Sequence, residues 1–274
     1  MNETISANEN PELAQQLVQA AISMSEEEVV TVKEKPAVTP PPSGEVKLLA
    51  GIYNSFSGEL VDTAEIRELN GVDEEALSKI SDYGRSLMAI LQRGTVKIGE
   101  EAATQDVLDG LLSGDREYLI LKIRVATFGK DVELTGECPH CATSQKFDID
   151  LEEDVKLQRL EDTSVRSFTV EGKAGEIVVE YPDGATQRKL INTSDKTSAE
   201  LDSILLKNCV TSINGKQVIN AEQVKALGMQ DRRTILTELV EKNPGPDLSK
   251  LAKNCPGCGL EVPIPLTLAD LFRL

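Results

Sequence analysis

Tryptophan is absent from this 274-residue chain, and aromatic residues make up only 3% of it. The core must therefore depend on Leu, Ile and Val. No apolar run approaches the roughly 20 residues that a membrane-spanning helix needs. The N-terminus has no basic residues ahead of an apolar stretch, as a secretory signal would. We expect a soluble intracellular protein with no membrane partner.

Histidine occurs once, as His140. Any catalytic triad, His-assisted nucleophile or His-based metal catalysis would have to use this residue, which stands between two cysteines that are better explained as metal ligands. Gly-rich phosphate-binding loops are missing in either standard form, and no acidic pair stands out from the general acidity. The sequence predicts that the protein is not an enzyme.

The formal charge of the chain is −17. Nucleic-acid binding and attachment to an anionic membrane both depend on Lys and Arg that neutralise phosphates. The acidity therefore argues against nucleic acid as a partner. The alternative interpretation is that the charge only keeps the protein soluble.

Residues 1–44 differ in composition from the rest, because they are acidic, lack aromatics and end in the Pro-rich run 36–42. We expect a disordered tail whose last part is an extended spacer. Ahead of the spacer, Asn10 can cap a short helix. One face of that helix would carry Leu13, Leu17, Ala20, Ala21 and Met24. The pattern is typical of a partner-docking segment on a tether, and the alternative is a frayed helix with no role.

The folded part is expected to begin near Glu45. The predicted elements are strands over 45–62 broken at Gly51 and at the turn 57–58, a helix over 73–91, a helix from Thr104 to Leu112, a helix that Asp115 caps and Gly129 ends, strands over 165–182, and helices over 197–210, 221–228 and 230–242. Asn214-Gly215 predicts a type I′ hairpin. Helices and short hairpins mixed without strand–helix alternation indicate an α+β fold.

Four of the five cysteines form two Cys-Pro-x-Cys pairs, Cys138-Pro139-His140-Cys141 and Cys255-Pro256-Gly257-Cys258. Two intervening residues let a tight turn direct both sulfurs at one ion, and two such knuckles supply the four ligands of a closed tetrahedral site. The sequence therefore predicts one structural Zn²⁺ bound by Cys138, Cys141, Cys255 and Cys258. Cys209 lies in an apolar helix and is expected to be a core residue.

The residues after each pair alternate in the same register, with Phe147, Ile149 and Leu151 after the first and Ile264, Leu266 and Leu268 after the second. Each knuckle thus feeds a strand, as in a zinc ribbon, and the two strands are expected to lie side by side. Closing the long intervening loop costs about 4 kcal/mol, whereas structural zinc contributes on the order of 10–16 kcal/mol. We expect an N-terminal α+β region, residues 45–135, followed by a zinc-clamped α+β region, residues 136–274.

Two other chemistries remain open for the cysteines. Cys-Pro-Gly-Cys-Gly is similar to half of a rubredoxin iron site, and Cys-x-x-Cys also serves dithiol redox reactions. His140 is expected to point to solvent. The main alternative function is that of a zinc-ribbon nucleic-acid or transcription accessory protein.

Three stretches of the chain together resemble one protein family. They are Glu65–Glu75, with its Arg-Glu-Leu and Asp-Glu-Glu groups, Leu111–Arg124 leading through Thr127-Phe128-Gly129 into the first Cys pair, and the second Cys pair running into Leu271-Phe272. In this order they resemble the T4-type phage baseplate hub assembly chaperones over about residues 45–274. The resemblance implies a non-catalytic factor in the cytoplasm of an infected bacterium. Such a factor holds hub or tape-measure proteins during assembly, or stays in the baseplate as a structural component.

Overall fold

The computed structural model describes residues 43–54, 57–193 and 195–272. The predicted tail helix with Leu13, Leu17 and Met24 lies outside these residues, so a docking role for it stays a prediction. The described part mixes helices with short strands, and every strand pair in it is antiparallel. Within the same residues, every helix is too short or too polar to span a bilayer.

The first sheet has the strand order β1-β2-β3-β4. Its strands are β1 Ser43–Tyr53, β2 Leu60–Arg67, β3 Thr95–Ile98 and β4 Glu101–Ala102. Gly51 lies at φ +70°, and the register of β1 on β2 shifts between Lys47 and Ile52. The expected break at Gly51 is therefore a bulge inside one continuous strand. The left-handed backbone conformation at this position favours glycine.

The helix predicted over 73–91 is in fact two helices, α1 Gly71–Leu77 and α2 Tyr83–Gly94. Asn70 and Asp73 form a capping box at the start of α1. A second cap, Asp82, accepts a hydrogen bond from the backbone N–H of Arg85 at 2.8 Å and starts α2. The expectation of one helix was wrong because the apolar spacing continues through the break, while the capping residue that marks it was overlooked.

Two helices follow, α3 Gln105–Gly110 and α4 Ser113–Phe128. The second runs through the larger core and buries Leu119, Ile120 and Ile123. Gly129, at φ +85°, ends it as predicted. A Cβ on Gly114 would lie 1.2 Å from the carbonyl oxygen of Pro244, so only glycine lets that segment approach the helix.

As far as the structure describes it, the C-terminal half contains one four-stranded sheet and three two-stranded sheets. The four-stranded sheet, order β11-β10-β9-β8, comprises β8 Ser167–Gly172, β9 Gly175–Glu180, β10 Val210–Ile213 and β11 Lys216–Gln217. The two-stranded sheets pair β5 Asp131–Glu137 with β6 Ser144–Asp150, β7 Lys156–Gln158 with β12 Gly245–Asp247, and β13 Ala252–Asn254 with β14 Glu261–Pro263. The strands expected over 165–182 are confirmed.

The helices of this half are α5 Gly184–Ile191, α6 Ser198–Cys209, α7 Ala221–Lys225, α8 Met229–Lys242 and α9 Leu268–Leu271. The predictions for α6, α7 and α8 are confirmed to within a few residues, whereas α5 was not predicted. Asn214 and Gly215 lie at φ +50° and +71° in the turn between β10 and β11, which confirms the type I′ hairpin.

The described residues bury two main hydrophobic clusters and a small third one. The larger cluster joins the first sheet, α2 and α4 to residues as distant in sequence as Ile149 and Leu266. The second cluster packs β8, β9 and β10 against α6 and α8. The third surrounds two of the paired cysteines. The division at residues 135/136 stays a prediction, and residues of the larger cluster come from both sides of it.

Candidate metal centre

Each Cys-Pro-x-Cys pair lies at the tip of a β-hairpin. Cys138 follows directly on the last residue of β5, and Cys255 follows directly on the last residue of β13. The sequence predicted only the strand that comes after each pair. The strand before the first pair carries alternating apolar residues, Val132 and Leu134, and this signal could have revealed it.

The two turns share one backbone conformation. The residue after the second cysteine is left-handed in both, with Ala142 at φ +52° and Gly259 at φ +77°. Its N–H donates to the carbonyl of the first cysteine, from Ala142 to Cys138 at 2.9 Å and from Gly259 to Cys255 at 2.8 Å. Two loops distant in sequence thus fold into equivalent cysteine turns.

The sulfur atoms of the four paired cysteines all lie within 4.8 Å of one another. The Sγ atoms of Cys138 and Cys258 are 3.8 Å apart, and those of Cys141 and Cys255 are 3.9 Å apart. A tetrahedron of sulfurs around Zn²⁺, with bonds of about 2.3 Å, has edges of about 3.8 Å. A disulfide would need about 2.05 Å, and all five cysteines are free thiols. The sulfur cage fits one four-coordinate ion.

The cage is partly sunk into the protein. The first cysteine of each turn is buried, and the second is half-buried or exposed. Phe147 and Val262 pack around the buried pair, and Ile264 lies against them. Because the protein supplies four sulfurs from two sides, an ion held here would have no ligand position left for a reacting water. The arrangement suits a structural centre.

The hydrogen bonds around the cysteines favour the charged form unequally. The Thr143 hydroxyl, 2.9 Å from the sulfur, and the Thr143 backbone lower the pKa of Cys141 to about 6. The backbone of Leu260 favours the thiolate of Cys258, but partial desolvation and the three neighbouring cysteines raise its pKa to about 11. Four thiolates this close repel one another, and a divalent cation among them would remove the repulsion.

The two cysteine hairpins also touch through His140. Its ring is exposed, as expected, and its Nε2 lies 3.0 Å from the carbonyl oxygen of Glu261 on β14. His140 is outside the sulfur cluster. The contact across the hairpins was not foreseen from the sequence.

The expectation that the strands after the two knuckles lie side by side was wrong. Strand β6 pairs instead with β5, the strand before its own knuckle. The strand expected through Ile264, Leu266 and Leu268 does not form, because β14 ends at Pro263 after pairing with β13, and Leu268 begins α9. Ile264 donates its N–H to Leu251, on the β13 side. Pro263 and Pro265, which flank Ile264, have no N–H to donate to a further strand. This segment cannot build the expected ladder.

Cys209 is buried in the second cluster, as predicted. Burial raises the pKa of this thiol to about 12. It is therefore a neutral core residue.

Asp115 does not have its predicted role. The N-cap position of α4 is Leu112, with no side-chain cap, and Asp115 is buried in the first turn. Its two carboxylate oxygens accept hydrogen bonds from the backbone N–H groups of Leu49 at 2.6 Å, Ala50 at 3.1 and 3.3 Å, and Gly51 at 2.8 Å. Burial raises the pKa of Asp115 against the effect of these donors.

Arg166 completes this second polar cluster from the other side. It donates to the carbonyl oxygens of Gly51 and Ala50, both at 3.0 Å. The carboxylate and the guanidinium thus satisfy the backbone of the β1 bulge, where the ladder to β2 is interrupted. We refer to Asp115, Arg166 and residues 49–51 as the carboxylate clamp.

One of the comparisons with known proteins agrees with the resemblance noted in the sequence. The family model described as T4 bacteriophage base plate protein matches residues 63–272, which include both cysteine pairs. Comparison with curated proteins gives no match, and comparison with solved structures gives none either. The family match spans well over half of the chain. The chain belongs to the T4 bacteriophage base plate protein family.

Proposed function

We propose that this protein is a non-catalytic assembly factor of the phage baseplate hub that binds other tail proteins in the cytoplasm of the infected bacterium. The observation that carries the proposal is the family match over residues 63–272. It supports a component of the baseplate, and the more specific assembly role follows from the resemblance to hub assembly chaperones. The partners proposed are hub and tape-measure proteins.

The proposal includes a structural Zn²⁺ bound by Cys138, Cys141, Cys255 and Cys258. The sulfur spacings support a single tetrahedral ion, and the closed ligand set supports a structural role. The zinc would supply a fixed link between the two hairpins. Metal analysis of protein purified without chelator should find one zinc per chain, and coloured, iron-bearing material would favour the rubredoxin-like alternative.

The tail adds a second part to the proposal. We infer that Leu13, Leu17 and Met24 form the apolar face of a helix that docks on a tail protein. Deleting residues 1–42 should then weaken binding to one partner and leave the melting temperature of the body unchanged. Equal binding with and without the tail would contradict this part.

The surface near the cysteines supports a protein partner over a nucleic acid. The hairpin that carries the first pair exposes Asp131, Glu133, Glu137 and Asp148. Lys146, its exposed cation, is already paired with Glu133 at 2.7 Å. A phosphate backbone would be repelled here. Salt-sensitive retention on DNA or RNA at physiological ionic strength would favour the accessory-protein alternative.

A phage with a stop codon in this gene tests the proposal directly. We expect lysates with tail components but few complete baseplates by electron microscopy, and restoration when the gene is supplied in trans. Co-expression with the hub and tape-measure proteins should give a complex that survives gel filtration. Normal baseplates from the mutant phage would overturn the proposed function.

A further inference from the structure

An open cleft of about 1040 Å³ lies between the two main hydrophobic clusters. On one side Leu87 packs against the larger cluster, and on the other Leu205 and Leu236 pack against the second. Small-molecule pockets occupy about 300–1,000 Å³. The volume is at the upper limit of that range, so the cleft is roomy for a small ligand and suits the side chains of a protein segment.

The cleft exposes apolar side chains that the two clusters leave uncovered. Val240 of α8 is 79% exposed and Tyr83 of α2 is 47% exposed, and both line the cleft. Ile235 and Leu239 of α8 are buried in the second cluster, whereas the neighbouring Val240 stays exposed at the cleft. Apolar side chains gathered around one concavity mark an interaction site more often than scattered ones do.

The charges in the cleft are unbalanced towards the negative. Asp202 and Glu241 line it and form no ion pair with any residue that the structure describes. A third lining carboxyl, Glu117, carries only part of a charge, because burial raises its pKa to about 7. Among the lining cations, Lys250 is 2.9 Å from Asp247 and so is already neutralised, which leaves Arg233. A segment that fills the cleft therefore gains by bringing Lys or Arg and loses by bringing carboxylates.

The walls also indicate the shape of the occupant. Helices α2, α4, α5, α6, α8 and α9 contribute side chains to them, and strands β7 and β12 contribute Gln158 and residues 245–247. Strand β12 is only three residues long, and its central Pro246 has no N–H to offer a further strand. A strand would need an open sheet edge to pair with, whereas an amphipathic helix needs only a side-chain groove.

We propose that this cleft is the docking site for a basic amphipathic helix of another tail protein. The inference rests on the proposed function, because it names the surface through which the assembly factor holds a partner. The apolar face of the partner helix packs on Val240, Leu236 and Tyr83, and its flanking cations lie against Asp202 and Glu241.

Two labelled synthetic peptides of about 18 residues, five helical turns, test the proposal on the full-length, zinc-loaded chain. Both carry Leu at helical spacing, one with Lys and the other with Glu on the polar face, and fluorescence anisotropy measures their binding. We expect the Lys peptide to bind at least about tenfold more tightly than the Glu peptide. Equal binding of the two would overturn the proposal.

Two sets of variants locate the binding. Val240→Ser removes exposed apolar surface and should weaken the Lys peptide by about tenfold, because burial of a Val is worth about 1.5 kcal/mol. The double variant Asp202→Asn with Glu241→Gln should weaken binding of the Lys peptide about threefold to tenfold. It should also make that binding less dependent on salt concentration. The matched controls are Ile219→Ser, at a residue 73% exposed away from the cleft, and Glu171→Gln with Glu176→Gln.

Unchanged binding in both cleft variants, or equal losses in the controls, would overturn the docking site. A chain without residues 1–42 should bind the Lys peptide as the full chain does, and loss of binding there would overturn it too. These outcomes are separate from the phage experiment. Normal baseplates from the stop-codon phage overturn the proposed function, whereas unchanged peptide binding with defective baseplates overturns the cleft alone.

Discussion

The cysteine cage and the carboxylate clamp both hold distant segments of the chain together, and they do so by different chemistry. Each joins segments that are far apart in the chain: the cage brings residues 138–141 to residues 255–258, and the clamp brings Asp115 and Arg166 to β1. The cage does so with four cysteine sulfurs, a set of soft ligands that could hold a metal ion. The clamp uses one carboxylate and one guanidinium on backbone groups and needs no added component.

This difference has two consequences. A metal link can be withdrawn by a chelator, so the two hairpins would depend on the supply of the ion. The buried carboxylate of Asp115 is part of the chain and cannot be withdrawn. Because it accepts hydrogen bonds from three backbone N–H groups at once, no other side chain of the same shape can replace it. A link through a bound ion would thus be conditional, whereas the carboxylate link is permanent.

The largest expected effect is the loss of one cage ligand. Cys255→Ser should abolish stoichiometric zinc and remove binding energy on the order of 10 kcal/mol, as much as the whole stability of many domains. Calorimetry and metal analysis of the same sample measure both. Cys209→Ala, which removes a sulfur outside the cage, should keep one zinc per chain. An unchanged melting temperature in Cys255→Ser would show that the cage does not hold the body together.

Asp115→Asn should cost about 3–5 kcal/mol of unfolding free energy. The amide turns an NH₂ group towards backbone N–H donors of β1 that now meet a carboxylate oxygen. Urea unfolding of the zinc-loaded protein measures the cost. Asp106→Asn makes the same chemical change at an exposed position in the first turn of α3 and should cost under about 0.5 kcal/mol. Similar losses in the two variants would remove the distinction between the clamp and an ordinary helix-start charge.

Asp73 tests whether a carboxylate with half-exposed partners contributes less to the free energy of unfolding than the carboxylate clamp does. Burial alone would raise its pKa, but hydrogen bonds from Arg67, Asn70 and Arg93 lower it from 3.8 to about 2. A lowered pKa stabilises the fold above the unfolded value and loses that contribution as pH falls through the folded one. Asp73→Asn should therefore cost about 2 kcal/mol at pH 7 and almost nothing near pH 2. A cost that does not change with pH would refute the ionic origin.

The smallest effect concerns the contact between the two cysteine hairpins. His140→Ala removes the hydrogen bond to the Glu261 carbonyl and should cost about 0.5–1 kcal/mol. Zinc content should remain at one per chain, since His140 lies outside the cage. A loss of zinc in this variant would assign His140 to the centre itself.

The sequence revealed the cage more fully than the clamp for a physical reason. In each Cys-Pro-x-Cys turn, the local sequence alone indicates the ligand atoms and their spacing. The convergence of the four sulfurs could therefore be inferred without knowledge of the fold. An aspartate at the start of a helix is instead typical of a cap. Only the position of the β1 bulge beside α4 gives Asp115 its actual partners, and that position is a tertiary fact.

Local capping and turn signals predicted much of the secondary structure. Gly129 and Asn214-Gly215 were assigned correctly because each conformation depends on the residue itself. The pairing of the knuckle strands failed because it depended on a choice between two available partners. The apolar alternation of β6 is equally compatible with either neighbour, and hydrogen bonding to β5 decided it.

The equivalent cysteine turns have a consequence for synthesis on the ribosome. The first turn can form as soon as Cys141 emerges, but its two thiols then have no counterpart until Cys258 follows. At about 5–20 residues per second, that interval is on the order of ten seconds. During that time the nascent chain presents an open half-site.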